Sequence, residues 1–120
     1  MDGTPNAAGE ILVRIGKEKD DLVVLRPSLR AAMNIEKLTG KKNRELIQSF
    51  ADSSATTEDA VLIFDQAARA GGSPKEFTIA DNSYLGVMEL HLSAAEFLRS
   101  LTIGGRATVT PTPAGDGNPP

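Results

Sequence analysis

The spacing of apolar residues changes several times along this chain, and each change marks an element. Ile11-Leu-Val-Arg-Ile15 and Leu22-Val-Val-Leu25 are short β-branched runs divided by Gly16-Lys-Glu-Lys-Asp-Asp21. The pair predicts a β-hairpin with a long charged loop. An isolated two-stranded hairpin is marginal in water, so a helix has to cover one of its faces. Arg26-Pro27-Ser28 interrupts the β pattern, and helical spacing follows, with Leu29, Ala32, Met33 and Leu38 ahead of Gly40. Pro27 suits a first helical position and Ser28 suits an N-cap, so two starts are open. Gly40 can take the left-handed conformation that ends a helix, with Lys37, Lys41 and Lys42 near the negative end of its dipole. Leu46, Ile47 and Phe50 predict a second short helix over 43–51, and Asp52-Ser-Ser-Ala-Thr56 breaks it.

The strongest helical signal comes next. Thr56 can cap it, and Asp59 stands at the reciprocal position with Glu58 beside it at the positive end of the dipole. Ala60, Val61, Phe64, Ala67 and Ala68 form one apolar stripe, which Leu62 and Ile63 widen, so 57–70 is expected to be a central helix contacted on more than one side. Gly71-Gly72 ends it. Ser73-Pro74-Lys75-Glu76 and Thr78-Ile-Ala-Asp81 both have capping-box spacing. Thr78 is the favoured start of a helix reaching about Leu90, with Leu85, Met88 and Tyr84 on its buried side. Gly86 inside that helix would cost about 1 kcal/mol relative to Ala. Ser93-Ala-Ala-Glu96 predicts a last helix over 94–102, stopped by Gly104-Gly105.

Residues 1–9 lack periodicity, and 106–120 hold four of the seven prolines, so both ends are expected to be disordered. Between them lies one α+β domain, 10–105, in which a short hairpin packs on a bundle of about four to five helices. A chain of 120 residues is a single domain by length. Its core is aliphatic, with four Phe, one Tyr and no Trp. The absence of Cys excludes disulfides and thiol chemistry. No apolar run approaches the roughly 20 residues of a membrane span. The first residues lack the basic start and apolar stretch of a secretory signal, so the expected compartment is the cytoplasm.

A net charge of −3 argues against general nucleic-acid binding. The charge is divided unevenly: residues 1–50 carry nine Lys/Arg against seven Asp/Glu, and 51–120 carry four against nine. Such a division can orient a charged partner or let copies meet head to tail, and it is also what an uneven solvated surface looks like.

Candidate chemistry is sparse. His91 is the only histidine, and a zinc site needs three or four ligands. Asp20-Asp21 falls in a turn, and Glu58-Asp59 falls where helix-dipole stabilisation accounts for it. Gly71-Gly72-Ser73-Pro74-Lys75 lacks the spacing of a phosphate loop. Lys41-Lys42-Asn43-Arg44 is the one basic cluster, too small for a nucleic-acid footprint. Neither catalytic residues, cofactor, metal nor membrane partner is expected. Phe97, Leu98, Leu101 and Ile103 exceed what a short terminal helix needs to dock. Phe97, Leu98 and Leu101 are therefore the candidate protein-binding residues, read as a helix face that meets an apolar or helical partner segment.

The run from Leu22 through Pro27-Ser28 into a helix with Ile35-Glu36 and a terminal Thr39-Gly40 resembles the small phage and gene-transfer-agent tail assembly chaperones. The likeness covers about residues 10–103. It rests on element order: hairpin, Pro-Ser-initiated helix, Ala-rich central helix ending in Gly-Gly, a Thr-initiated helix and a short last one. The resemblance implies a non-enzymatic protein that keeps the tape-measure protein soluble and recruits tail-tube subunits in the host bacterial cytoplasm. The uneven charge and the surplus apolar residues of the last helix, independently of the resemblance, make a homo-oligomer a further expectation. Some members also exist as a longer frameshifted product, with which the Pro-rich end is compatible. The family has no catalytic residues to carry over. The alternatives are a structural virion or adaptor domain and, with less support, a small DNA-binding regulator using 43–70. The acidic character of 57–65 weighs against the latter.

Overall fold

A computed structural model describes residues 9–18, 21–81 and 84–107, with side chains through 103. The expected α+β architecture is present: an antiparallel hairpin followed by a small helical bundle. Strand β1 (Ile11–Arg14) pairs with β2 (Leu22–Leu25) in the register Ile11↔Leu25, Val13↔Val23. Side chains alternate along a strand, so Ile11, Val13, Val23 and Leu25 share the face that meets the helices. Val13, Val23 and Leu25 are buried there. The 15–21 turn is closed by Ile15 N–H donating to the Asp21 carbonyl at 2.9 Å.

Helix α1 (Leu29–Thr39) starts at Ser28, whose hydroxyl accepts the Ala31 N–H at 3.0 Å, and ends at Gly40 with φ +72°. Of the two open starts, the Ser28 cap is therefore the one used. Its inward residues are Ala31 and Ile35, whereas Leu29, Met33 and Leu38 are exposed. The spacing that predicts this helix is present, but α1 carries two apolar stripes, and the one containing β-branched Ile35 faces the core.

Helix α2 (Asn43–Ala51) buries Leu46, with the Glu45 carboxylate accepting the Lys42 N–H at 2.8 Å. Helix α3 (Thr57–Ala70) is the centre of the molecule, as its nearly all-round apolar surface predicts. Thr56 caps it through the Asp59 N–H at 3.0 Å, and Ala60, Ile63, Phe64, Ala67 and Ala68 have no exposed surface. Helices α1 and α4 and strand β2 all pack against it.

The second half departs from expectation. Thr78 opens only a 3-10 turn, Ile79–Asp81, and a single helix α4 runs from Val87 to Ala107. Two polar pins explain the turn. The Asp65 carboxylate accepts the Ile79 N–H at 2.8 Å, and the Arg69 guanidinium donates to the Phe77 carbonyl at 2.8 Å. Gly86 lies just before α4, where its N–H meets the Glu89 carboxylate at 3.0 Å, rather than inside a helix. Ser93 falls mid-helix, where i−4 carbonyls serve the N–H groups a cap would otherwise satisfy. Gly104 and Gly105 continue the helix instead of stopping it. The expected disordered ends lie outside the described residues, apart from Gly9 and the last α4 residues. The Gly9 carbonyl accepts the Ser100 hydroxyl at 2.8 Å.

At its C-terminal end α3 touches the hairpin so closely that position 71 has no room for a side chain. A Cβ there would overlap the Val24 carbonyl, a backbone group that cannot step aside. Gly71→Ala is therefore expected to cost about 1–3 kcal/mol, the usual penalty of overpacking. Urea unfolding measures it, and a loss under about 0.5 kcal/mol, typical of open surface, would mean that hairpin and helix end do not meet.

Candidate protein-docking site

The structure places the sequence-derived binding residues in the core. Phe97 and Leu98 are 0% exposed and Leu101 is partly buried against the same cluster. Helical phase gives the reason. With α4 continuous, Leu90, Ala94, Phe97, Leu98 and Leu101 recur at three- and four-residue steps and form the stripe that meets α3 and α2. A partner could reach Phe97 or Leu98 only by opening the bundle, so the surface reading of that trio is corrected.

Other large apolar residues of α4 are exposed. Val87, Met88 and Leu92 are 63%, 73% and 64% exposed, although Met88 was expected inside. Together with His91, Ala95 and Phe50 of α2 they line an open groove of about 570 Å³ between α4 and the α2–α3 connection. That volume is within the roughly 300–1,000 Å³ range of small-molecule sites. Its mostly aliphatic walls and open side also suit a few side chains of a peptide.

Local geometry fixes the groove's floor. The His91 ring meets Phe50 edge to face, centroids 5.6 Å apart, and its Nε2 lies 3.2 Å from the Thr57 hydroxyl. The lone histidine thus joins α4 to α2 and α3. Asp52 directly follows α2, and hydrogen bonds from Ser54, its hydroxyl foremost, hold its carboxyl below the ordinary range.

The other sequence candidates serve structure. Asp59 is buried and pairs with Lys41 at 2.6 Å, clamping the α1–α2 turn to the start of α3. That hydrogen bond, with the charge of Asp59, raises the Lys41 ammonium above its usual value. The Asn43 backbone and side-chain N–H groups donate to Glu36 at 3.0 and 3.1 Å. Part of the basic cluster is therefore occupied within the fold. Asp20 lies outside the described residues. Burial pushes the Asp65 carboxyl up, against hydrogen bonds from the Ile79 amide and Thr78 that favour its charged form. Among the described residues no three His, Cys, Asp or Glu gather as metal ligands, and no helix is long and apolar enough to cross a membrane.

Comparison with known proteins returned no matching family model, no matching curated relative and no matching solved structure. The tail-chaperone resemblance therefore rests on the residue pattern alone.

Proposed function

We propose that this chain is a non-enzymatic tail assembly chaperone, working in the cytoplasm of a bacterial host, whose groove receives an apolar helical segment of the tape-measure protein. The observation that carries the reading is the run of solvent-exposed Val87, Met88 and Leu92 beside Phe50. Apolar side chains gathered in an exposed groove are one mark of an interaction site. Burying two or three such side chains contributes several kcal/mol, at about 1.5–3 kcal/mol each. That is enough to hold an aggregation-prone helix and still release it to tail-tube subunits.

Co-expression with a tape-measure protein tests the proposal. The tape-measure chain is expected in the soluble fraction with this protein and in the pellet without it. Leu92→Asp, an exposed substitution that leaves the melting transition in place, is expected to remove the rescue. Equal solubility in both arms overturns the chaperone role, and full rescue by Leu92→Asp overturns the groove as its seat.

A further inference from the structure

The outward side of α4 carries a strip of residues that complements itself when reversed. Leu92, Glu96, Arg99 and Ile103 follow one another at steps of four, three and four residues. They therefore lie within about 60° of one another around the helix and span about 16 Å along it. All four are exposed, Leu92 and Ile103 by 64% and 50%. Glu96 and Arg99 are not ion-paired among the described residues, with each other or with any other group. Helix α4 packs on α3 and α2 through its other side, where Leu90, Ala94, Phe97 and Leu98 are buried. Alternating three- and four-residue steps along so narrow a strip suit one further helix. The order of the side chains decides which helix that is. It runs apolar, acidic, basic, apolar, and an antiparallel mate with the same order meets apolar with apolar and acid with base at every position.

We infer that two copies of this chain pair through α4, antiparallel about a two-fold axis, with Leu92 of each against Ile103 of the other and Glu96 of each against Arg99 of the other. A single register makes all four contacts. A parallel pair would set Glu96 against Glu96 and Arg99 against Arg99, so like-charge repulsion selects the antiparallel one. The same patch is used on both copies, so the assembly closes as a dimer instead of growing. One helix face buries less than the roughly 1,200 Å² of a stable complex, which makes the dimer weak and reversible. Its dissociation constant is on the order of 10–1,000 µM. Salt weakens it, because its two ion pairs are exposed before association. The inference does not depend on reading the groove as a docking site. Leu92 nevertheless lines the groove too, so a helix held there would compete with the pairing.

Sedimentation velocity on the full chain tests this. The wild-type average mass is expected to rise from the monomer toward the dimer, and no further, between about 10 and 500 µM, concentrations that bracket the expected affinity. Glu96→Arg and Arg99→Glu, each with an unchanged thermal transition, are each expected to remain monomeric, because each sets like charges opposite one another. Their equimolar mixture is expected to dimerise, since every charge then meets its opposite across the pair. Glu96→Lys and Arg99→Asp replace them should either variant lose its fold. A monomeric wild type, growth past the dimer, a Glu96→Arg chain that associates like wild type, or a mixture that stays monomeric overturns the inference. Ile103→Asp lies outside the groove and is expected to be monomeric while still rescuing the tape-measure protein. A monomeric wild type that rescues thus removes this pairing alone, and a dimer that does not rescue removes the tail role alone.

Discussion

Leu98→Asp is expected to abolish the native fold. Leu98 has no exposed surface and sits on the α4 stripe that meets α3. The substitution removes a buried aliphatic side chain, worth about 1.5–3 kcal/mol of burial. It also leaves a carboxylate without a partner in the aliphatic core, a further penalty of several kcal/mol. A domain of this size has only about 5–15 kcal/mol in total. Far-UV circular dichroism at neutral pH should show loss of the cooperative transition. A melt within a few degrees of wild type would mean that Leu98 faces solvent and that α4 is rotated from the position described. The contrast with Leu92→Asp, six residues away and on the exposed face, separates the buried stripe from the exposed stripe of one helix.

The first three helices were legible in the sequence because their boundaries depend on local groups. Ser28, Thr56 and Gly40 satisfy or release backbone within a turn of themselves, so pattern and structure agree over 29–39, 43–51 and 57–70. From residue 73 onward three successive capping boxes each offer a helix start, and a cap is only an option that a continuing helix overrides. The choice between them falls to Asp65 and Arg69, which reach from α3 to hold Ile79 and Phe77 in a turn. That information is tertiary, and no window of 73–102 contains it.

The groove was hidden for the same reason. A helix begun at Thr78 puts Met88 inside, whereas one begun after Gly86 turns Met88 and Leu92 outward. Phe50, the opposite wall, comes from an element nearly forty residues earlier. Helix α1 poses a different ambiguity. Leu29, Ala32 and Met33 have core spacing, and so do Ala31 and Ile35. Periodicity alone cannot choose between two apolar stripes of one helix, because the choice depends on which of them meets α3.

Phe64→Ala is expected to lose about 3–5 kcal/mol, the range for removing a fully buried aromatic ring. Phe64 is 0% exposed at the middle of α3, where the hairpin, α1 and α4 converge on one helix. Its ring lies 6.5 Å from that of Phe77, so the cavity left by truncation opens beneath the 73–81 turn as well as inside the bundle. The aliphatic neighbours are held on three elements and can collapse into that space only partly, which places the cost toward the upper end. Each kcal/mol lowers the melting temperature of a domain this small by roughly 4–8 °C, so the variant should melt well over ten degrees early. Phe77 is only half buried, and Phe77→Ala should cost clearly less. A Phe64→Ala loss below about 1 kcal/mol, or one smaller than that of Phe77→Ala, would place the centre of the core away from α3.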